Sequence, residues 1–273
     1  MSKIRKSVIA GSWYPGSKDK LVSTFKDYFS NIDIPSIKKQ VLGLISPHAG
    51  YPFSGQTAAY GYSLLQEKQF DLVLIMSPMH RMALGSYLTT SADYYETPLG
   101  KVPVDQKLLQ VLSEKIDLKF LSDDNEHSLE IQLPFLQYVL KEFTILPIMI
   151  SLINIFDITE IVNSLYELIK DKNCLIIASS DFHHIDNYQQ VKEKDKKVVE
   201  ALKEFNIKDV KQRLSDPECS ICGKVPIALL LEISKKLGAT EVKNQHQTNS
   251  GDVTGDTSPG QYTVGYVSAA VLK

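Results

Sequence analysis

Cysteine is scarce: 273 residues hold only three, Cys174, Cys219 and Cys222. So few cannot frame a disulfide-stapled fold of this size, and they read as reduced thiols available as ligands or nucleophiles. Positive charge is not in surplus either. Lys and Arg number 30 against 32 Asp and Glu, the formal charge is −2, and arginine occurs only at Arg5, Arg81 and Arg213. With an isoelectric point near 6.3, that balance argues against a nucleic-acid partner. Long apolar runs are missing: none reaches the roughly 18 residues that a bilayer span requires. The opening MSKIRKSVIAG also lacks the apolar core of a secretory signal, so a cytoplasmic location away from membranes is expected. No G-x-G-x-x-G, Walker-type loop or G-x-S-x-G elbow occurs, which removes support for nucleotide binding and for an elbow serine.

What the chain does have is one pattern used three times. Val41 to Ser46 (VLGLIS) runs into Pro47, His48, Ala49, Gly50 and Tyr51. Leu72 to Ser77 (LVLIMS) runs into Pro78, Met79 and His80, and Leu175 to Ser180 (LIIASS) into Asp181, Phe182, His183 and His184. Apolar runs of this length, bounded by turn residues, predict strands buried on both faces. Open α/β sheets place ligand sites just past the carboxyl ends of such strands. Four of the six histidines sit at that point.

Around these strands the periodicity predicts helices. One follows Ser17, one runs from a Ser54 cap to Leu65, and others cover 106–115, 158–170, 189–204, 207–214 and 221–237. The stretch 31–39 reads as a linker and 85–104 as an antiparallel excursion. The segment SLEIQLPFLQYVLK is helical, with Pro134 either kinking it or opening a second helix. Further strands are expected at 143–150, 241–246 and 261–272, with a turn-rich loop at 249–260. The whole chain, residues 1–273, reads as one α/β/α layered domain with a mostly parallel central sheet.

His48 and His80 are candidate metal ligands, because neighbouring strand ends bring two imidazoles to one ion; the alternative is that each serves loop backbone groups. Asp181 and His184 can be ligand and base or can orient ligands, and His184 is preferred to its neighbour His183 as the ring facing the pocket. His127 can donate into the pocket from a helix start, with Glu130 one turn on, or merely cap that helix. Cys219 and Cys222 form a lone C-x-x-C before a helix, whose amino end is expected to lower a thiol's pKa. A redox pair, half a zinc site and two semi-buried small residues all fit it. Cys174 reads as core. Asp252 and Asp256 lack EF-hand spacing and read as part of a turn at the pocket rim.

Seven motifs in order, AGSWYP (10–15), SPHAGY (46–51), SPMH (77–80), NEHSLEIQLPF (125–135), SSDFHH (179–184), ICGKVPI (221–227) and SGDVTGD (250–256), together resemble the MEMO1 family, in its archaeal and bacterial branch. That family is similar in fold to the class III extradiol dioxygenases, non-haem iron enzymes that open catechol rings. The resemblance implies a metal pocket of His48, His80 and Cys222, with Asp181 and His184 close by, and it selects Cys222 over Cys219. Fe(II) is the first expectation for the metal, with copper or zinc as alternatives. An iron-dependent oxidoreductase with His184, Asp181 and His127 in catalytic roles is one implied function. A binding protein that uses the pocket for metal or redox sensing, or for docking a peptide or partner protein, is another, and a zinc hydrolase a third; an unidentified small molecule or peptide is the expected ligand. Family association further implies AMMECR1-like and radical-SAM proteins as partners.

Overall fold

The three strand-to-histidine stretches lie side by side, and their registry is what builds the site. A computed structural model describes residues 2–33, 38–81, 85–151 and 153–273. The middle of the expected 31–39 linker, residues 34–37, lies outside them.

Among the described residues twelve strands form in chain order. They are β1 (Ile4–Arg5), β2 (Val41–Ser46), β3 (Leu72–Pro78), β4 (Tyr87–Thr90), β5 (Tyr94–Thr97) and β6 (Gly100–Pro103), then β7 (Leu118–Leu121), β8 (Thr144–Ile150), β9 (Cys174–Ser179), β10 (His184–Ile185), β11 (Glu241–Asn249) and β12 (Thr263–Leu272). Nine of them make the main sheet, in the order β10-β12-β2-β9-β3-β8-β4-β7 with β11 paired to β12; β1, β5 and β6 form a small second sheet.

The central sheet is mixed, which corrects the expectation of a mostly parallel one. Parallel pairing joins β2, β9, β3 and β8, and again β4 with β7. β12 runs antiparallel to β2, β10 and β11, and β4 antiparallel to β8. The four central strands are apolar and buried almost throughout, as strands covered on both faces must be.

Helices cover both faces. Helix Tyr51–Ser63 packs on β12 and β2, and helix Lys224–Lys236 on β9, β2 and β3. Leu44 approaches Gly61 of the first helix while its neighbour Gly43 approaches Leu230 of the second. Adjacent strand residues point to opposite faces, so the sheet lies between these helices. One buried apolar cluster runs through the layers.

Several boundaries differ from the sequence expectation. Gly50 caps the helix expected from Ser54, whose hydroxyl instead donates back to the Ala49 carbonyl inside the first turn. Pro134 opens a second helix, Leu133–Val139, after a short His127–Glu130 turn, so the backbone bond that proline lacks is one that a first turn never makes. The helix expected at 221–237 starts at Lys224, with Pro226 again near its start. β11 continues past His246 to Asn249, and the expected loop beyond it contains a short helix, Ser250–Thr254.

Registry sets the site. Ser46 lies opposite Ser179, and Met76 opposite Ala178, so β2, β9 and β3 end together and discharge their following residues at one edge.

Candidate metal centre

Three ligand atoms, one each from His48, His80 and Cys222, lie within 4.8 Å of one another at that edge. His48 follows β2 and is 2% exposed. Its ring orientation is fixed by bonds whose donors can be assigned. The Ser179 hydroxyl has one proton, which goes to the Ser128 carbonyl at 2.6 Å, while the Gln132 amide donates to the Ser179 oxygen at 2.8 Å. His48 Nδ1, 3.1 Å from the same oxygen, is therefore the N–H donor, and Nε2 carries the lone pair. Nε2 points at Cys222 Sγ, 3.1 Å away. Burial, reinforced by His80 and His127, holds His48 well below the usual imidazole range, so the ring is neutral.

His80 follows β3, and its ring centroid lies 5.1 Å from that of His48. Its Nδ1 stands 3.0 Å from Glu126 Oε1 and its amide donates to Oε2 at 2.7 Å, leaving Nε2 free. The same carboxylate caps the short helix through the amides of His127 and Ser128, both at 2.9 Å, and lies 3.2 Å from His127 Nδ1. Burial opposes ionisation of Glu126, but bonds from the His80 ring, the Ser128 and His80 amides and the His127 charge outweigh it and hold the carboxyl at about 2. His80, Glu126 and His127 also cluster closely enough to chelate. Glu126 is already engaged by both rings' Nδ1 atoms, however, and its geometry is that of a carboxylate that orients a ligating histidine.

Glu126→Gln should therefore weaken metal binding about 10–100-fold, because one face of the new amide presents N–H groups to N–H donors. Competition against a chelator of known affinity measures this; an unchanged affinity would remove Glu126 from the supporting set.

Cys222 enters from the loop ahead of helix Lys224–Lys236. Gly223 makes its position possible: a Cβ there would lie 2.3 Å from Ser180 Cβ and 2.6 Å from the Ser179 carbonyl oxygen. Sγ accepts from the Asp181 amide at 3.2 Å. The expected lowering of this thiol's pKa by the helix end is not found. Burial, with the adjacent Asp181, pushes it up, because enclosure costs a thiolate more than one helix end returns. Two imidazoles and one thiol within chelating distance fit a divalent metal, whose charge would supply what the thiolate lacks.

Asp181 takes the amides of His48 and Ala49 at 2.7 and 3.2 Å on Oδ1, while Oδ2 lies 4.0 Å from His48 Nε2. Burial raises it to about 7. His183 and His184 diverge: His183 turns to Asp195, and His184 to Tyr262. His184 Nδ1 lies 3.0 Å from the Tyr262 hydroxyl, and its buried Nε2 has no hydrogen-bond partner among the described residues. Burial, then the charges of His80 and His183, lower it to about 4.

His127 stacks on His80 at 4.6 Å between centroids and meets Trp13 at 4.4 Å. Glu130 does not share the pocket; it is fully buried against Arg5, Ser7 and Tyr14. Arg5 also donates to the Asp124 and Glu126 carbonyls, so the amino-terminal strand ties down the loop that carries Glu126. Tyr51 is core, donating to the Ile131 carbonyl. Asp252 accepts from Tyr188 and Asn249 at the end of β11, close to the cavity that Tyr262 lines.

Glu126, Ser179, Gln132, Tyr262 and Ser220, whose hydroxyl accepts from the His184 amide, were not singled out from sequence. The signal available was the placement of Glu126 and Gln132 in the apolar NEHSLEIQLPF motif.

Among the described residues no helix is long and apolar enough to cross a membrane. The model of a family described as Memo-like protein matches residues 5–270. A MEMO1 family protein of Methanosarcina mazei is 37% identical over 98% of this chain and 99% of its own length. One from Nitrosopumilus maritimus is 35% identical over 96% and 98%, and one from Thermotoga neapolitana 35% over 97% and 99%. On that match over nearly its whole length, the chain belongs to the MEMO1 family.

Proposed function

We propose that this chain is an iron-dependent oxidoreductase with the architecture of the class III extradiol dioxygenases. The observation that carries this reading is the approach of His48, His80 and Cys222 ligand atoms to within 4.8 Å of one another. Those three residues hold Fe(II), with copper or zinc as the competing ions. A ferrous ion so held supplies open coordination positions and electron transfer towards O₂.

The protein's own share is positional. Ser179 and Glu126 fix the two imidazoles with their Nε2 atoms inward, and Asp181 braces the His48 loop through two amides. His184 is the proton-transfer group, because it presents an unpartnered buried nitrogen and is neutral at pH 7. His127 stands across the pocket as the second candidate. The substrate is a small molecule.

A thiol in the third ligand place, where the dioxygenases use a carboxylate, favours a second reading. On it the pocket senses metal or redox state, or docks a peptide or partner protein. A zinc hydrolase is the third. AMMECR1-like and radical-SAM proteins are the proposed partners, in the cytoplasm.

Elemental analysis of anaerobically purified protein tests the assignment. One iron per chain is the expected result; stoichiometric zinc points to the hydrolase, and no metal at all contradicts both.

A further inference from the structure

The amino-terminal segment meets both sides of the metal centre, and the proposed chemistry gives it no task. The Trp13 carbonyl accepts the Tyr51 amide at 2.8 Å, three residues past His48, and the Trp13 ring lies against His127. Arg5, 6% exposed, enters the stretch that carries Glu126.

Residues 122–126 form neither strand nor helix, and side chains hold their backbone. Arg81 Nε donates to the Asn125 carbonyl at 3.1 Å, and the Asp124 carboxylate accepts the Glu126 amide at 2.9 Å. Arg5 does the rest: Nε donates to the Asp124 carbonyl at 2.9 Å and Nη2 to the Glu126 carbonyl at 2.8 Å. Its Nη1 reaches the Lys6 carbonyl at 3.1 Å and the Glu130 carboxylate. A planar guanidinium can serve four acceptors spread in this way, whereas an ammonium donates from a single nitrogen.

The two tasks of Arg5 are separable. Glu130 also accepts the Ser7 and Tyr14 hydroxyls and the Val8 amide at 3.0 Å, so a cation there need not be arginine. Holding the Glu126 backbone needs the fork. The carboxylate of that residue stands 3.0 Å from His80 Nδ1 and 3.2 Å from His127 Nδ1. Such bonds weaken steeply when donor and acceptor lose alignment, and the partners that orient a ligating histidine are worth about 10–100-fold in metal affinity.

We propose that Arg5 is a positioning residue for the metal centre: it holds the Glu126 backbone in the place from which the carboxylate orients His80. The inference rests on a metal centre of His48, His80 and Cys222, and none of Arg5's hydrogen bonds goes to those three residues. Arg5 acts through Glu126, and by reciprocity a metal ion at the centre stabilises the docked amino-terminal segment.

The test uses the full chain, purified without air, with Zn²⁺ as the probe and a chromophoric chelator of known affinity as competitor. Wild type should bind one ion per chain and Cys222→Ser should lose most of it; failure of either result would overturn the metal centre itself, and the role of Arg5 with it. Arg5→Lys keeps a cation beside Glu130 and should weaken binding about 10–100-fold. In a Glu126→Gln background the same substitution should cost less than about threefold, because both changes break one line of contacts. A merely structural role would make the two losses add. Hydrogen exchange of the Val8 amide in wild type decides the matter if Arg5→Lys fails to fold. Zinc should slow that exchange about 10–100-fold, the same coupling read from its other end. Arg5→Lys binding zinc as tightly as wild type, additive losses in the double variant, or exchange at Val8 indifferent to zinc would overturn the proposal.

Discussion

Cys222→Ser is expected to lose most of its bound iron, copper or zinc, whereas Cys219→Ser and Cys174→Ser keep theirs. The Cys222 sulfur faces His48 Nε2 at 3.1 Å, and without it two imidazoles remain. Two histidines rarely hold a divalent ion alone, and a serine hydroxyl stays protonated where a metal-bound thiol does not. The other two thiols turn elsewhere. Cys174 begins β9, where burial pushes it up to about 12, and Cys219 lies outside the cluster of ligand atoms. Metal per chain in the three variants, purified without air, measures the difference. Equal content in all three would remove Cys222 from the ligand set. Asp181, with Oδ2 4.0 Å from His48 Nε2, would then become the third ligand in a two-His-one-carboxylate site.

His184→Ala is expected to leave metal content near wild type while lowering any O₂-dependent turnover by roughly 10²–10⁴-fold, the usual loss for a positioned general acid or base. The ring is held at its backbone by Ser220 and at Nδ1 by Tyr262, so its free Nε2 is the only polar atom it offers the pocket. Parallel metal analysis and steady-state kinetics separate the two roles. Loss of metal in this variant would make His184 a ligand instead.

The pocket was legible at the strand ends, because a buried parallel strand leaves a compositional mark and the residues after it must emerge at one edge. His48, His80 and the Asp181–His184 stretch were found this way. Strand direction was less legible. The apolar run in β12 reads the same in either sense, and its antiparallel course comes from the short return after β11. Pairing at a distance left no mark at all. Asp124 and Glu126 sit in what reads as a solvated acidic loop, yet both are buried, because Arg5 and the two histidines, far off in sequence or on the next turn, meet them there. The Cys222 expectation failed for a related reason: a helix end is visible in sequence, and the degree of enclosure that outweighs it is not.

On this reading two imidazoles and one thiolate hold a single metal ion. X-ray absorption at the metal edge of anaerobically purified protein tests it most directly. One sulfur at about 2.3 Å and two nitrogens at about 2.0–2.1 Å, the distances for a zinc-like ion, are the predicted scatterers. A shell of nitrogen and oxygen alone, with no sulfur, would contradict it.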